Sequence, residues 1–216
     1  AVNQGNLLLG LKSNSHVVLV GFKSSQNETL SYYPEKLFRI SNHMGIGMAG
    51  LTPDGRLLYS YMKNECLNFN YTYRTNHPIE RLVTKIAEKS QLKTQRGENK
   101  RPYGVGLLIA GFDATGPRLF RTCPSANYYE YNCVAIGSRS QGATTFLENN
   151  LDAMPTMTVD QLVTCGIQAM KKAQDVKVNE NNIDVLVVGN GQDTKLLQTE
   201  EIRRYLEDIE GRMEVN

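Results

Sequence analysis

Short, continuous apolar runs open the chain. Leu7-Leu8-Leu9-Gly10-Leu11 and Val17-Val18-Leu19-Val20 flank the polar turn Lys12 to His16, which predicts a hairpin whose strands are buried on both faces. Leu37 to Ile40 and Met44 to Ala49 repeat the arrangement across Ser41-Asn42-His43. The period then changes. Thr52 reads as a capping hydroxyl, Pro53 suits the first helical position, and Asp54 complements the positive end of the helix dipole. An apolar face continues through Leu57, Leu58, Tyr61, Met62 and Cys66. A second helix starting near His77-Pro78 sets Ile79, Leu82, Val83, Ile86 and Ala87 on one stripe.

The pattern reverses at Val105 to Ala110, Leu119-Phe120 and Cys133 to Ile136, which read as strands, with a turn over Asp113 to Pro117. Ala143, Phe146, Leu147 and Leu151 mark another helix. Val159, Leu162, Val163, Ile167 and Met170 mark the next, begun by Thr158 with Asp160 in its first turn. A late strand, Ile183 to Val188, ends at Gly189-Asn190-Gly191, and Thr199 reads as the cap of a last helix with Ile202, Tyr205 and Leu206. Strands that need cover on both faces, interleaved with pairs of helices, imply helices outside a stack of sheets. The expected fold is a four-layer α/β/β/α sandwich, in one domain over residues 1–216.

Composition narrows the function classes. Of 216 residues, 40% are hydrophobic and 21% charged, so neither disorder nor a membrane span is expected, and no apolar run approaches roughly 20 residues. The start, Ala1 to Gly5, lacks the basic and apolar regions of a targeting segment. Cytoplasm and nucleus are the expected locations. Cys66, Cys123, Cys133 and Cys165 show no CxxC spacing and are expected to be reduced thiols. The triplets Asn27-Glu28-Thr29 and Asn70-Tyr71-Thr72 have the glycosylation pattern but are expected to be silent. A net charge of +2 gives no reason to expect a nucleic-acid partner. The most basic stretch, Lys93 to Arg101, has no aromatic residue for stacking and reads as a solvated loop.

Familiar catalytic and cofactor motifs do not occur in the sequence. Gly104-Val105-Gly106 lacks the third glycine of a dinucleotide fingerprint, there is no GxxxxGK[ST] or GxSxG, and no cofactor is expected. His16, His43 and His77 have no metal-ligand spacing and are expected to be structural or exposed. The sandwich class admits one further mechanism, in which a terminal Thr, Ser or Cys attacks and its own α-amine is the base. Ala1 has no side-chain oxygen or sulfur for that role.

Specific motifs then carry a resemblance. Ala49-Gly50-Leu51-Thr52-Pro53-Asp54-Gly55-Arg56 resembles the strand-to-helix signature of proteasome α subunits, and Arg101 to Asp113 resembles the central strand of that family. Cys123-Pro124-Ser125-Ala126-Asn127 and Ala135 to Ala143 match the stretch beyond, in the same order and over nearly all of the chain. The resemblance implies a non-catalytic place in a heteroheptameric α ring of the core particle, stacked on the β ring, in ubiquitin-dependent protein degradation. Implied partners are other α subunits, β subunits and the C-terminal tails of activators or the regulatory particle.

In catalytic β relatives a threonine opens the first strand, an aspartate ends the second and a lysine begins the next. The matching positions here are Asn6, about Phe22, and Lys36. One lysine cannot restore activity without the nucleophile and the acid. The rival expectation, an active amide hydrolase of the same class, predicts peptide turnover by the isolated chain. In α subunits the lysine pairs with the terminal carboxylate of an arriving tail, which implies a pocket that includes Gly5, Lys36 and Leu51. Family members also carry an upstream gating segment and a first helix that packs between ring neighbours. Neither precedes Ala1 in this sequence, so weaker ring assembly is expected of the chain as read.

Overall fold

The structure is a computed structural model and describes residues 1–23, 35–95, 101–175 and 177–214. The triplet at Asn27 and the middle of the basic stretch, 96–100, lie outside the described residues. Among the described residues, ten strands and five helices follow one another. They are β1 (Leu8–Lys12), β2 (His16–Phe22), β3 (Leu37–Ser41), β4 (Met44–Gly50), α1 (Thr52–Tyr73), α2 (Ile79–Gln95), β5 (Val105–Asp113) and β6 (Gly116–Thr122). After these come β7 (Tyr128–Glu130), β8 (Cys133–Ile136), α3 (Ser140–Asn149), α4 (Val159–Ala173), β9 (Ile183–Gly189), β10 (Gln192–Leu196) and α5 (Thr199–Glu214). Single 3₁₀ turns form at Val2–Gln4 and Met154–Thr156.

Two antiparallel sheets result, one in the order β10-β9-β2-β1-β8 and one in the order β3-β4-β5-β6-β7. Alternation within each strand sorts its side chains between layers. Leu7, Leu9 and Leu11 pack towards Leu162, Val163 and Ile167 of α4, together with Ile202, Leu206 and Ile209 of α5. Leu8 and Leu19 instead meet Leu37, Leu108 and Leu119 of the other sheet. The outer face of that second sheet is covered by Leu58 and Met62 of α1 and by Leu82, Val83 and Ile86 of α2. The expected four-layer α/β/β/α sandwich is therefore the observed one. Its strands read as unbroken apolar runs because both faces are buried, each side chain contributing about 1.5–3 kcal/mol.

Several local expectations are corrected. Thr52 does not cap α1: it is the first helical residue, and the flanking Leu51 offers no side-chain hydrogen bond. The turn is instead fastened by Asp54, which points inwards. Thr199 likewise lies inside α5, where Gln198 takes the flanking place and Glu201 accepts from the Gln198 N–H at 3.0 Å. Thr158 does cap α4, in a reciprocal box with Gln161 that contributes about 1 kcal/mol. Leu57 is 62% exposed, because the inward stripe of α1 runs through Asp54, Leu58, Met62 and Cys66. Leu151 lies beyond α3, in the turns that follow it. The cysteines are free thiols, Cys66 and Cys165 buried, and burial pushes Cys66 up to about 12 and Cys165 up to about 11.

Candidate functional site

The ends of β1, β2, β3 and β4 and the start of α1 meet at one edge of the sandwich. Asn6 is half-buried just before β1, and its carbonyl would stand 2.3 Å from a Cβ added at Gly137. Phe22 closes β2: its N–H donates to the Leu7 carbonyl at 2.8 Å, and its ring is buried in the layer beneath α4 and α5. Lys36 precedes β3, half-buried, and its Cβ would lie 3.5 Å from one built on Gly21. The three positions that match nucleophile, acid and lysine thus converge, but they present an amide, a phenyl ring and an ammonium. An Ntn-type reaction needs a nucleophilic oxygen or sulfur beside its own amine, and neither Asn6 nor Phe22 supplies it. The reading as an active amide hydrolase finds no support at these residues.

Gly5, Lys36 and Leu51 are brought to the same edge by backbone packing. Gly5 approaches so closely that a Cβ would stand 2.5 Å from the Gly50 nitrogen, and its carbonyl accepts from the Ser138 N–H at 2.7 Å. Gly50 has φ +122°, a conformation glycine tolerates and L side chains resist, and a Cβ there would meet the Gly104 carbonyl at 2.3 Å. The turn it permits delivers Leu51, whose N–H donates to that carbonyl at 2.9 Å while its side chain is exposed. Lys36 joins from the neighbouring strand, its carbonyl accepting from the Met48 N–H at 3.1 Å. Burial, followed by the nearby positive charge of Arg56, lowers the Lys36 pKa below the usual lysine value.

Two features of this edge escape sequence reading. Asp54, assigned above to the dipole alone, is buried and accepts from the Gly104 N–H at 2.8 Å as well as from Arg101. Arg101, read as part of a solvated basic loop, therefore fastens the start of α1 to the strand β5 that follows. Gly50 could have been found from its place between an apolar strand and a proline-led helix, a junction that demands an unusual φ. The Asp54–Arg101 pairing has no local signal, because its partners are far apart in sequence.

His43 and His77 are buried and hydrogen-bonded within the fold. His43 donates from Nε2 to the His77 carbonyl at 2.9 Å and pairs through Nδ1 with the Ser41 hydroxyl at 2.9 Å, and His77 donates from Nδ1 to the Pro78 carbonyl at 2.8 Å. Among the described residues, no cluster of three or more His, Cys, Asp or Glu side chains could hold a metal ion. No helix among them is long and apolar enough to cross a membrane.

Comparison with known proteins gives this edge its context. The proteasome subunit family model matches residues 2–188. The chain is 44% identical over 214 residues to the proteasome subunit alpha type-1 of Dictyostelium discoideum, spanning 98% of this chain and 86% of that protein. It is 38% identical over 211 residues to the probable proteasome subunit alpha type-6 of Schizosaccharomyces pombe, spanning 97% and 77%. With the alpha type-6 subunit of Saccharomyces cerevisiae it shares 36% identity over 209 residues, spanning 95% and 88%. A sandwich with no nucleophile at Asn6, matched over most of its length by one family and over nearly all of it by α-type relatives, leaves one assignment: the chain belongs to the proteasome subunit family, as a non-catalytic α-type member.

Proposed function

We propose that this chain, as one domain, holds a place in the α ring of the proteasome core particle and stacks on the β ring as a scaffold. There it lends Gly5, Lys36 and Leu51 to a pocket for the C-terminal tails of activators or the regulatory particle, serving ubiquitin-dependent degradation in cytoplasm and nucleus. The observation that carries this reading is the half-buried Lys36, whose carbonyl accepts from the Met48 N–H two residues before Gly50, on the edge where Gly5 packs against Gly50. A tail's terminal carboxylate can meet the ammonium in a charge-assisted contact, and the exposed Leu51 offers apolar surface to the tail.

The test is Lys36→Ala in an assembled core particle, probed with a fluorescent, photo-crosslinkable activator tail peptide whose capture on this chain is quantified. Loss of a charge-assisted contact of about 1.5–3 kcal/mol predicts at least roughly tenfold weaker capture. Capture unchanged by the substitution discards the pocket.

A further inference from the structure

The edge that bears Lys36 carries a second cation. The first turn of α1 lies directly over the end of the β3–β4 hairpin: Gly55 packs on Met48 so closely that a Cβ would stand 2.5 Å from the Met48 sulfur. Met48 in turn donates its N–H to the Lys36 carbonyl. Arg56, one residue beyond Gly55, is exposed, so the helix turn packed on Met48 and the residue hydrogen-bonded to it each carry a cation. Asp54, the acidic residue of that turn, faces the other way and is occupied by Arg101 and the Gly104 N–H. The helix adds its own positive end, since Leu51 gives its first N–H groups no side-chain acceptor.

We infer that Arg56 is a specificity-determining residue of this pocket, where it selects tails that carry a second negative charge, an acidic side chain close to the terminal carboxylate. One carboxylate can neutralise one of the two cations. The other keeps the edge net positive, and Arg56, long and exposed, offers that charge to a further anion. The mutual repulsion is already felt at Lys36, where Arg56 adds to the effect of burial. The inference rests on the docking role proposed for Lys36, and it adds to that role a preference among tails.

The probes are C-terminal tail peptides, identical except for Glu against Gln at each of the last positions before the terminus in turn. Their photo-capture on this chain is measured in the assembled core particle. At one of those positions the Glu peptide is expected to bind roughly threefold tighter, as suits a solvent-exposed ion pair. The preference should be retained in Arg56→Lys, vanish in Arg56→Ala and reverse in Arg56→Glu, and raised salt should erase it. Equal capture of Glu and Gln peptides at every position, or a preference that survives Arg56→Glu, overturns the inference while leaving the Lys36 pocket standing. If Lys36→Ala changes the capture of neither peptide, the pocket itself falls, and the role of Arg56 with it.

Discussion

Arg101 grips Asp54 at two points, Nη1 to Oδ2 at 2.5 Å and Nη2 to Oδ1 at 2.9 Å, and so ties the chain entering β5 to the first turn of α1. The pair is lopsided: the carboxylate is buried and the guanidinium mostly exposed. Its value therefore lies in satisfying a buried acceptor that also orders the Gly104 N–H, more than in Coulomb attraction at the surface. The Arg101 guanidinium holds the Asp54 carboxyl below the usual carboxylate range, against the opposing effect of burial.

A depressed folded pKa stabilises above the unfolded value, about 3.9, and is lost as pH falls through the lower folded value. Asp54→Asn should therefore cost about 1–2 kcal/mol at pH 7. The difference from the unmodified chain should shrink as the solution is acidified below about pH 4. Urea unfolding at pH 7 and pH 3.5 reads both effects. Identical midpoints at pH 7 would contradict them.

The three histidines predict a second pH dependence. Burial lowers the pKa of His16, His43 and His77, in His77 with help from the nearby Lys85 and Arg81. At His43 and His77, backbone carbonyl contacts oppose this in part, as do the carboxylates of Asp113 near His43 and Glu65 near His77. For such depressed groups stability is complete above the unfolded pKa of about 6.5 and falls as the pH drops towards their folded values. Protonated His43 could no longer accept from the Ser41 hydroxyl. The urea midpoint is expected to decline steadily from about pH 7.5 to about pH 5.5. A flat midpoint over that interval refutes neutral imidazoles at the buried His43 and His77.

Gly50→Ala links stability to the proposed pocket. The left-handed φ costs about 1–3 kcal/mol for a residue with a side chain, and the added methyl collides with the Gly104 carbonyl. The displaced turn carries Leu51 with it. Thermal unfolding should begin at lower temperature, and tail capture should weaken although no residue proposed to touch the tail has changed. A stable variant with normal capture would show that the turn is not needed.

Asn6→Thr with Phe22→Asp should not create a peptidase. The new aspartate would replace a ring buried beside Ile183, at a cost of about 3 kcal/mol or more, and would face an apolar layer. The expected outcome is a destabilised chain that does not turn over a fluorogenic peptide. Sustained turnover, blocked by a threonine-directed reagent, would mean that the edge retains latent catalytic geometry.

Much of the architecture was legible because burial on both faces writes itself into unbroken apolar runs such as Val17 to Val20, and helical cover into stripes such as Leu82, Val83 and Ile86. The strands that left no such mark, β7 and β10, lie at sheet edges. β7 is three residues long, and β10 turns polar residues, Gln192 and Asp193, to solvent, so neither produces a hydrophobic signal. The two misplaced caps have a common cause. A hydroxyl before an apolar stripe looks the same whether it precedes the helix or begins it, and only the flanking backbone, at Gly50-Leu51 or Gln198, decides. At the candidate site, Gly5, Lys36 and Leu51 came from likeness to a family. What unites them, the close approach of Gly5 to Gly50 and of Gly55 to Met48, is a three-dimensional relation with no local signature.

The central claim, a non-catalytic place in the α ring, is tested most directly by mass spectrometry of native complexes retrieved through a tag on the full-length protein. The expected complexes contain the other α subunits and the β subunits, with one copy of this chain in each heteroheptameric ring. Recovery of the chain alone, or in complexes that lack α and β partners, would contradict it.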